Sequence, residues 1–153
     1  MSDSTGVIVF REFATKTGGR LDALDITPEV EEVVRSAGVR AGSVLVFSPH
    51  TTCCVLLASP GQETVQMIDR LIRSVAPEDG YYAHDDFDIR TENLVEDEPP
   101  NAPAHIAHVL IGKASETLPV IDGDLQLGTG QRVLFVELDS SRDRRYSVQV
   151  IGE

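Results

Sequence analysis

Tryptophan is absent from this chain of 153 residues, and aromatic side chains make up only 5% of it. The composition, 41% hydrophobic and 25% charged, is nevertheless ordinary for a globular domain. Basic residues are scarce too. Thirteen Lys and Arg stand against 25 Asp and Glu, a formal net charge of −12. That balance argues against binding nucleic acid or an anionic membrane, both of which need clustered cations to neutralise phosphates. No apolar run approaches the roughly 18 residues that span a bilayer, and the start, MSDSTGVIVFREF, has no basic stretch followed by a long apolar one. A soluble, cytoplasmic protein is expected.

Only two cysteines occur, Cys53 and Cys54. Neighbours on a strand point to opposite faces, so a disulfide between them would be strained, and reduced thiols fit the cytosol. They read as small core residues.

The length predicts one domain covering 1–153. Val7 to Phe10 reads as a strand and Thr17-Gly18-Gly19 as a turn. Thr27-Pro28 opens a helix with Val30, Val33, Val34 and Ala37 at helical spacing, stopped by Gly38. Ser43 to Ser48 and Thr52 to Leu57 read as two strands of a sheet, or as one strand broken by a bulge. Gln62 to Ala76 carries a second apolar helical stripe, at Val65, Ile68, Leu71, Ile72 and Val75. Pro103 opens a short third helix, AHIAHVLIG, ended by Gly112. Strands follow: TLPVI, an Asp122-Gly123 hairpin turn, DLQLG, RVLFVEL, a polar turn and YSVQVIG. The whole is an α+β fold, with about three helices on a mixed or mostly antiparallel sheet.

Between Glu78 and Ala102 no periodicity appears, and a loop longer than about 12–15 residues in a compact domain is usually functional or disordered. Nine acidic residues face the single Arg90 between positions 78 and 100. The segment must be solvated or bind a cation.

Three histidines sit where sites tend to form. His50 interrupts two apolar runs in PHTTCCV, His84 opens the acidic loop, and His105 lies in the first turn of the third helix, with His108 on the same helix face. Either the first three converge as an open catalytic or metal-binding set, or they are separately exposed and packed. No block of closely spaced Cys and His supports a structural zinc site. Asp85, Asp86 and Asp88 are carboxylates suited to Mg²⁺, or else a solvated acidic patch. Gly128, Thr129, Gln131 and Arg132 could cradle an anion, or form a glycine bulge before a strand. Arg142, Arg144 and Arg145 form a basic cluster, which on a hairpin could simply be solvated.

Several pieces occur in a telling order: HTT before an apolar strand, RSVAP, YYAHDD, NAPAHI and finally SETLPVIDGDLQLGTGQ. From about Val44 to Ile151-Gly152-Glu153 the chain resembles the YjbQ-like family, associated with secondary thiamine-phosphate synthase activity. The resemblance implies a YjbQ-like fold, a homotrimer, and a pocket in which His50, His84 and His105 meet and serve as catalytic residues or ligands of a divalent metal, zinc or magnesium. It places Thr51, Thr52, Asn101, Gly128, Thr129 and Gln131 at substrate-binding positions, with Arg132 beside them. The implied substrate is a small phosphorylated metabolite: a pyrimidine-methyl pyrophosphate would be joined to a thiazole phosphate with release of pyrophosphate. Metal-assisted hydrolysis of a phosphate ester, and non-catalytic binding of a small ligand or metal, are the alternatives. Gly130 stands where the family usually has tryptophan, which removes a ring for stacking.

Overall fold

The computed structural model describes residues 6–153, so the reading of the first five positions lies outside the described residues. Eleven elements follow in order. They are β1 (Val7–Lys16), β2 (Ala23–Asp25), α1 (Thr27–Ala37), β3 (Ala41–Phe47), β4 (Cys53–Ala58), α2 (Gln62–Val75), α3 (Ala102–Leu110), β5 (Ser115–Ile121), β6 (Asp124–Leu125), β7 (Arg132–Glu137) and β8 (Asp143–Gly152).

The strands form two sheets, one ordered β1-β8-β3-β5-β6 and the other β2-β7-β4, and every pairing between these strands is antiparallel. β7 explains the layering. Its Val133 and Phe135 join one core with α1 and the five-stranded sheet, whereas Leu134 and Val136 join a second core with Ile72 of α2 and Ala104 and Ala107 of α3. The small sheet is thus covered on both faces, and that is why VLFV carries no polar residue. Cys53 and Cys54 obey the same alternation: both are wholly buried, one in each core.

Most of the expected elements are present, with three differences. β1 is ten residues long, because its alternation continues through FREFATK as it pairs along the whole of β8. β2, three residues long, carried too short a pattern to read. The two runs around Pro49-His50 are neither neighbours in one sheet nor a bulged strand: β3 lies in the large sheet and β4 in the small one. Residues 48–52 are the crossing between sheets.

The third helix begins at Ala102, with Pro103 in its first turn. Gly112 also has a packing role, since a Cβ there would lie 2.0 Å from Cys54 Cβ. Asp122 and Gly123 both have positive φ, 56° and 89°, as a type I′ turn requires. Among the described residues no helix is long and apolar enough to cross a membrane.

Candidate active site

The crossing 48–52, the long segment after α2, the start of α3 and the β7–β8 turn close around a cavity of about 420 Å³. His50, Thr51, Thr52, His84, Asn101 and His105 all line it, and so do Arg90, Glu98, Arg142 and Arg144. Histidines from three distant parts of the chain therefore face one space, with the rings of His84 and His105 4.6 Å apart.

Beneath the cavity lies a buried ion pair. Glu137, with no exposed surface, ends β7; Arg144 Nε donates to its Oε2 and Arg144 Nη2 to its Oε1, both at 2.7 Å. The Thr17 hydroxyl and the Asp139 backbone N–H also donate to Glu137, at 2.9 and 3.0 Å. Burial pushes the Glu137 carboxyl up, but the hydrogen bonds from Arg144, the Asp139 N–H and Thr17, with the Arg144 charge, together outweigh this and hold it below the usual range. Arg144 Nη2 also donates to Thr52 Oγ1 at 3.0 Å, which fixes the HTT turn against β8. Its Nη1 takes no part in these bonds.

Each histidine has a distinct state. His50 Nε2 accepts the Arg145 backbone N–H at 3.1 Å, so the neutral ring carries its proton on Nδ1. Partial burial, and then the nearby Arg144 charge, hold its pKa below the ordinary 6.5. His84 has both nitrogens engaged: Nδ1 lies 2.8 Å from Asp85 Oδ1, and Nε2 lies 3.2 Å from Arg90 Nη1. Asp85 can only accept when ionised, and it already takes the backbone N–H groups of Asn101 and Ala102 at the start of α3. His84 therefore donates from Nδ1. Among the described residues the His105 ring has no such hydrogen bond, and its pKa is lowered by burial first and by His84 second. It is the uncommitted imidazole of the cavity.

The segment 84–98 is held by its one cation. Arg90 donates to the main-chain oxygens of His84 (2.9 Å), Glu92 (3.3 Å) and Asn93 (2.9 Å), and to Glu98 Oε1 (2.9 Å). A third ion pair closes the wall, in which Arg142 Nη2 donates to Asp139 Oδ2 at 2.7 Å.

Other expected site residues lie elsewhere. Gly128, Thr129, Gln131 and Arg132 stand at the opposite end of β7 and are absent from the cavity wall. At a rise of about 3.3 Å per residue, the length of β7 separates the two ends by roughly 17 Å. There Gln131 Oε1 accepts the Gly128 N–H at 2.8 Å, and Arg132 Nε donates to Asp25 Oδ2 at 2.8 Å. Arg145 points away from Arg144 on the strand and is exposed. His108 bonds the Cys53 carbonyl at 2.9 Å.

A metal held by His50, His84 and His105 would have to displace existing bonds, since His50 Nε2 and both His84 nitrogens are occupied. Among the described residues no three His, Cys, Asp or Glu side chains are grouped to hold one. Asp86 is occupied as well, accepting the Tyr81 hydroxyl at 3.0 Å.

Glu137, Arg90, Glu98 and Asp139 were not singled out from sequence as site residues. Glu137 had a signal, a lone carboxylate inside the buried run VLFVEL, and so did Arg90, the one cation among nine acids.

A helix-covered small sheet packed on a five-stranded sheet, with a histidine- and arginine-walled cavity where the sheets part, defines an α+β fold with one candidate site. The chain belongs to the family described as UPF0047 protein YjbQ-like, whose model matches residues 11–153. A UPF0047 protein of Methanothermobacter thermautotrophicus is 34% identical over 143 residues, covering 94% of this chain and 92% of that one. UPF0047 protein YugU of Bacillus subtilis is 31% identical, covering 90% and 95%. Among solved structures, a YbjQ-like protein of unknown function from Sulfolobus solfataricus superposes with a TM-score of 0.84 at 27% identity, covering 97% and 100%. A hypothetical protein from Aeropyrum pernix gives 0.80 at 34%, covering 95% and 99%.

Proposed function

We propose that the cavity binds a small phosphorylated metabolite and that the chain is a transferase of the secondary thiamine-phosphate synthase kind. The bond from a pyrimidine methylene carbon to a pyrophosphate oxygen would break, a thiazole nitrogen would bond to that carbon, and pyrophosphate would leave. One observation carries the reading: Arg142 and Arg144 are each anchored by a carboxylate on one edge while, among the described residues, their Nη1 groups and the His105 ring have no hydrogen-bond partner, all three side chains lining one cavity. Donors fixed in advance stabilise charge as it grows on leaving oxygens, without reorganising. His50 Nδ1–H adds another. Within one chain Thr129 and Arg132 are too distant to help.

The test is turnover of both substrates with Mg²⁺ by purified protein. Loss of the His105 ring in His105→Ala should lower kcat by about 10²- to 10³-fold, as removal of one transition-state donor does. Equal turnover would remove His105 from the mechanism. Phosphate release without the thiazole partner would make the protein a hydrolase, and tight metabolite binding without turnover a binding protein, the reading that the committed His84 nitrogens favour.

We further infer a homotrimer, in keeping with the resemblance. The outer face of the five-stranded sheet leaves Ile8, Phe10, Phe47, Ile121 and Ile151 between 40% and 71% exposed, an apolar area of the kind that marks an interface. The mass in solution decides this. Buried, unpaired Cys53 and Cys54 are in line with a reducing cytoplasm.

A further inference from the structure

Asn101 is 7% exposed, lines the cavity, and has a buried Oδ1 without a hydrogen-bond partner among the described residues. Its amide orientation is fixed. Nδ2 lies 3.0 Å from Asp139 Oδ2, an oxygen that also takes the Arg142 guanidinium at 2.7 Å. A carboxylate paired with arginine can only accept, so the NH₂ must face Asp139 and the carbonyl must face away from it. The backbone cannot satisfy that oxygen either, because the N–H groups of Asn101 and Ala102 are already given to Asp85.

A buried acceptor left unpaired is costly, and native proteins leave few of them without a reason. We propose that Asn101 Oδ1 is a specificity element that accepts a hydrogen bond from the ligand, so that the cavity selects phosphate monoesters bearing an amino or hydroxyl donor over those without one. Asp139 is the positioning residue: it turns the amide, and through Arg142 it ties the donor test to the anion-binding wall. This inference rests on the proposal that the cavity holds a phosphorylated metabolite, and adds what else that metabolite must carry. A ligand lacking the donor would bury the same oxygen permanently unpaired, and such mismatches are punished more heavily than a missing methylene.

The test is isothermal titration at about pH 8, where monoesters are fully ionised. Inorganic phosphate serves as the anchor, and matched pairs serve as probes: glycerol phosphate against propyl phosphate, and the three aminophenyl phosphates against phenyl phosphate. In the natural protein at least one donor-bearing probe should bind about tenfold tighter than its partner, the equivalent of one net hydrogen bond. Asn101→Ala should erase that difference while still binding inorganic phosphate. Asp139→Asn, which keeps Asn101 but lets its amide turn over, should shrink the difference, and a melting curve for each variant checks its fold. Phosphate binding with equal affinity within every pair overturns the role of Asn101. A preference unchanged by Asp139→Asn overturns the positioning role. Failure of the natural protein to bind phosphate or any monoester overturns the phosphorylated-ligand reading itself, and this inference with it.

Discussion

The two ends of β7 carry the same chemistry in opposite settings. At one end Arg132 meets Asp25 at 2.8 Å, with side chains 37% and 33% exposed; at the other Arg144 meets Glu137 at 2.7 Å, with side chains 7% and 0% exposed. Distance does not separate them, but the surroundings do. Water screens the first pair, so its attraction is nearly offset by the cost of holding two side chains still. The second pair is shielded from water and is tolerable because Thr17, Thr52 and the Asp139 N–H take up much of what the two charges leave over, with Arg144 Nη1 left to the cavity. A salt bridge of the first kind decorates a strand end, and one of the second kind dictates the shape around it.

The largest expected effect comes from breaking the buried pair on one side. Glu137→Gln leaves the Arg144 charge buried without its counter-ion and should cost about 3–5 kcal/mol, read as a fall in Tm of about 6–20 °C. Replacing both partners, Glu137→Leu with Arg144→Met, should cost much less. If the single and double variants melt together, the contrast between the two ends is wrong.

Acid sharpens the comparison by a smaller amount. His50 and His105, both on the cavity, have pKa values held below the ordinary 6.5. In the unfolded chain these rings take up protons near 6.5, and in the fold only at lower pH. Their contribution to stability is thus complete above 6.5 and is lost as the pH falls through the interval below it. The Tm should drop between about pH 7.5 and about pH 5.5, and His50→Gln with His105→Gln should flatten that drop. A Tm that rises on acidification over this range contradicts the assignment.

The smallest effect is expected at the exposed end. Arg132→Ala should move Tm by no more than about 2 °C and leave phosphate binding in the cavity unchanged. A tenfold loss of phosphate affinity would mean that the 128–132 loop reaches a cavity after all, one belonging to a neighbouring copy.

What was legible in the sequence follows from the range of the forces involved. α1 and α2 declared themselves through local periodicity and punctuation by Pro and Gly, and the Asp122-Gly123 turn through its demand for positive φ. That β3 and β4 belong to different sheets depends on pairing with β8 and β7, strands far along the chain, and no local pattern records it. The stripe on α2 was only half informative, since Ile72 is buried but Leu71 is 51% exposed. For the cavity, residue type pointed to His50, His84 and His105. Residue type alone leaves Arg144 a candidate for solvation, because its carboxylate partner comes beside it only through the fold. Gly128 to Arg132 attracted attention by composition, and the fold sets them at the other end of the strand.

Arg90 has a consequence for how this protein can change. Three of its partners are peptide oxygens, which every amino acid supplies, so the clamp is indifferent to most side chains in the stretch it gathers. Substitutions there reshape that wall of the cavity while the staple stays shut, and the scaffold beneath it need not be rebuilt.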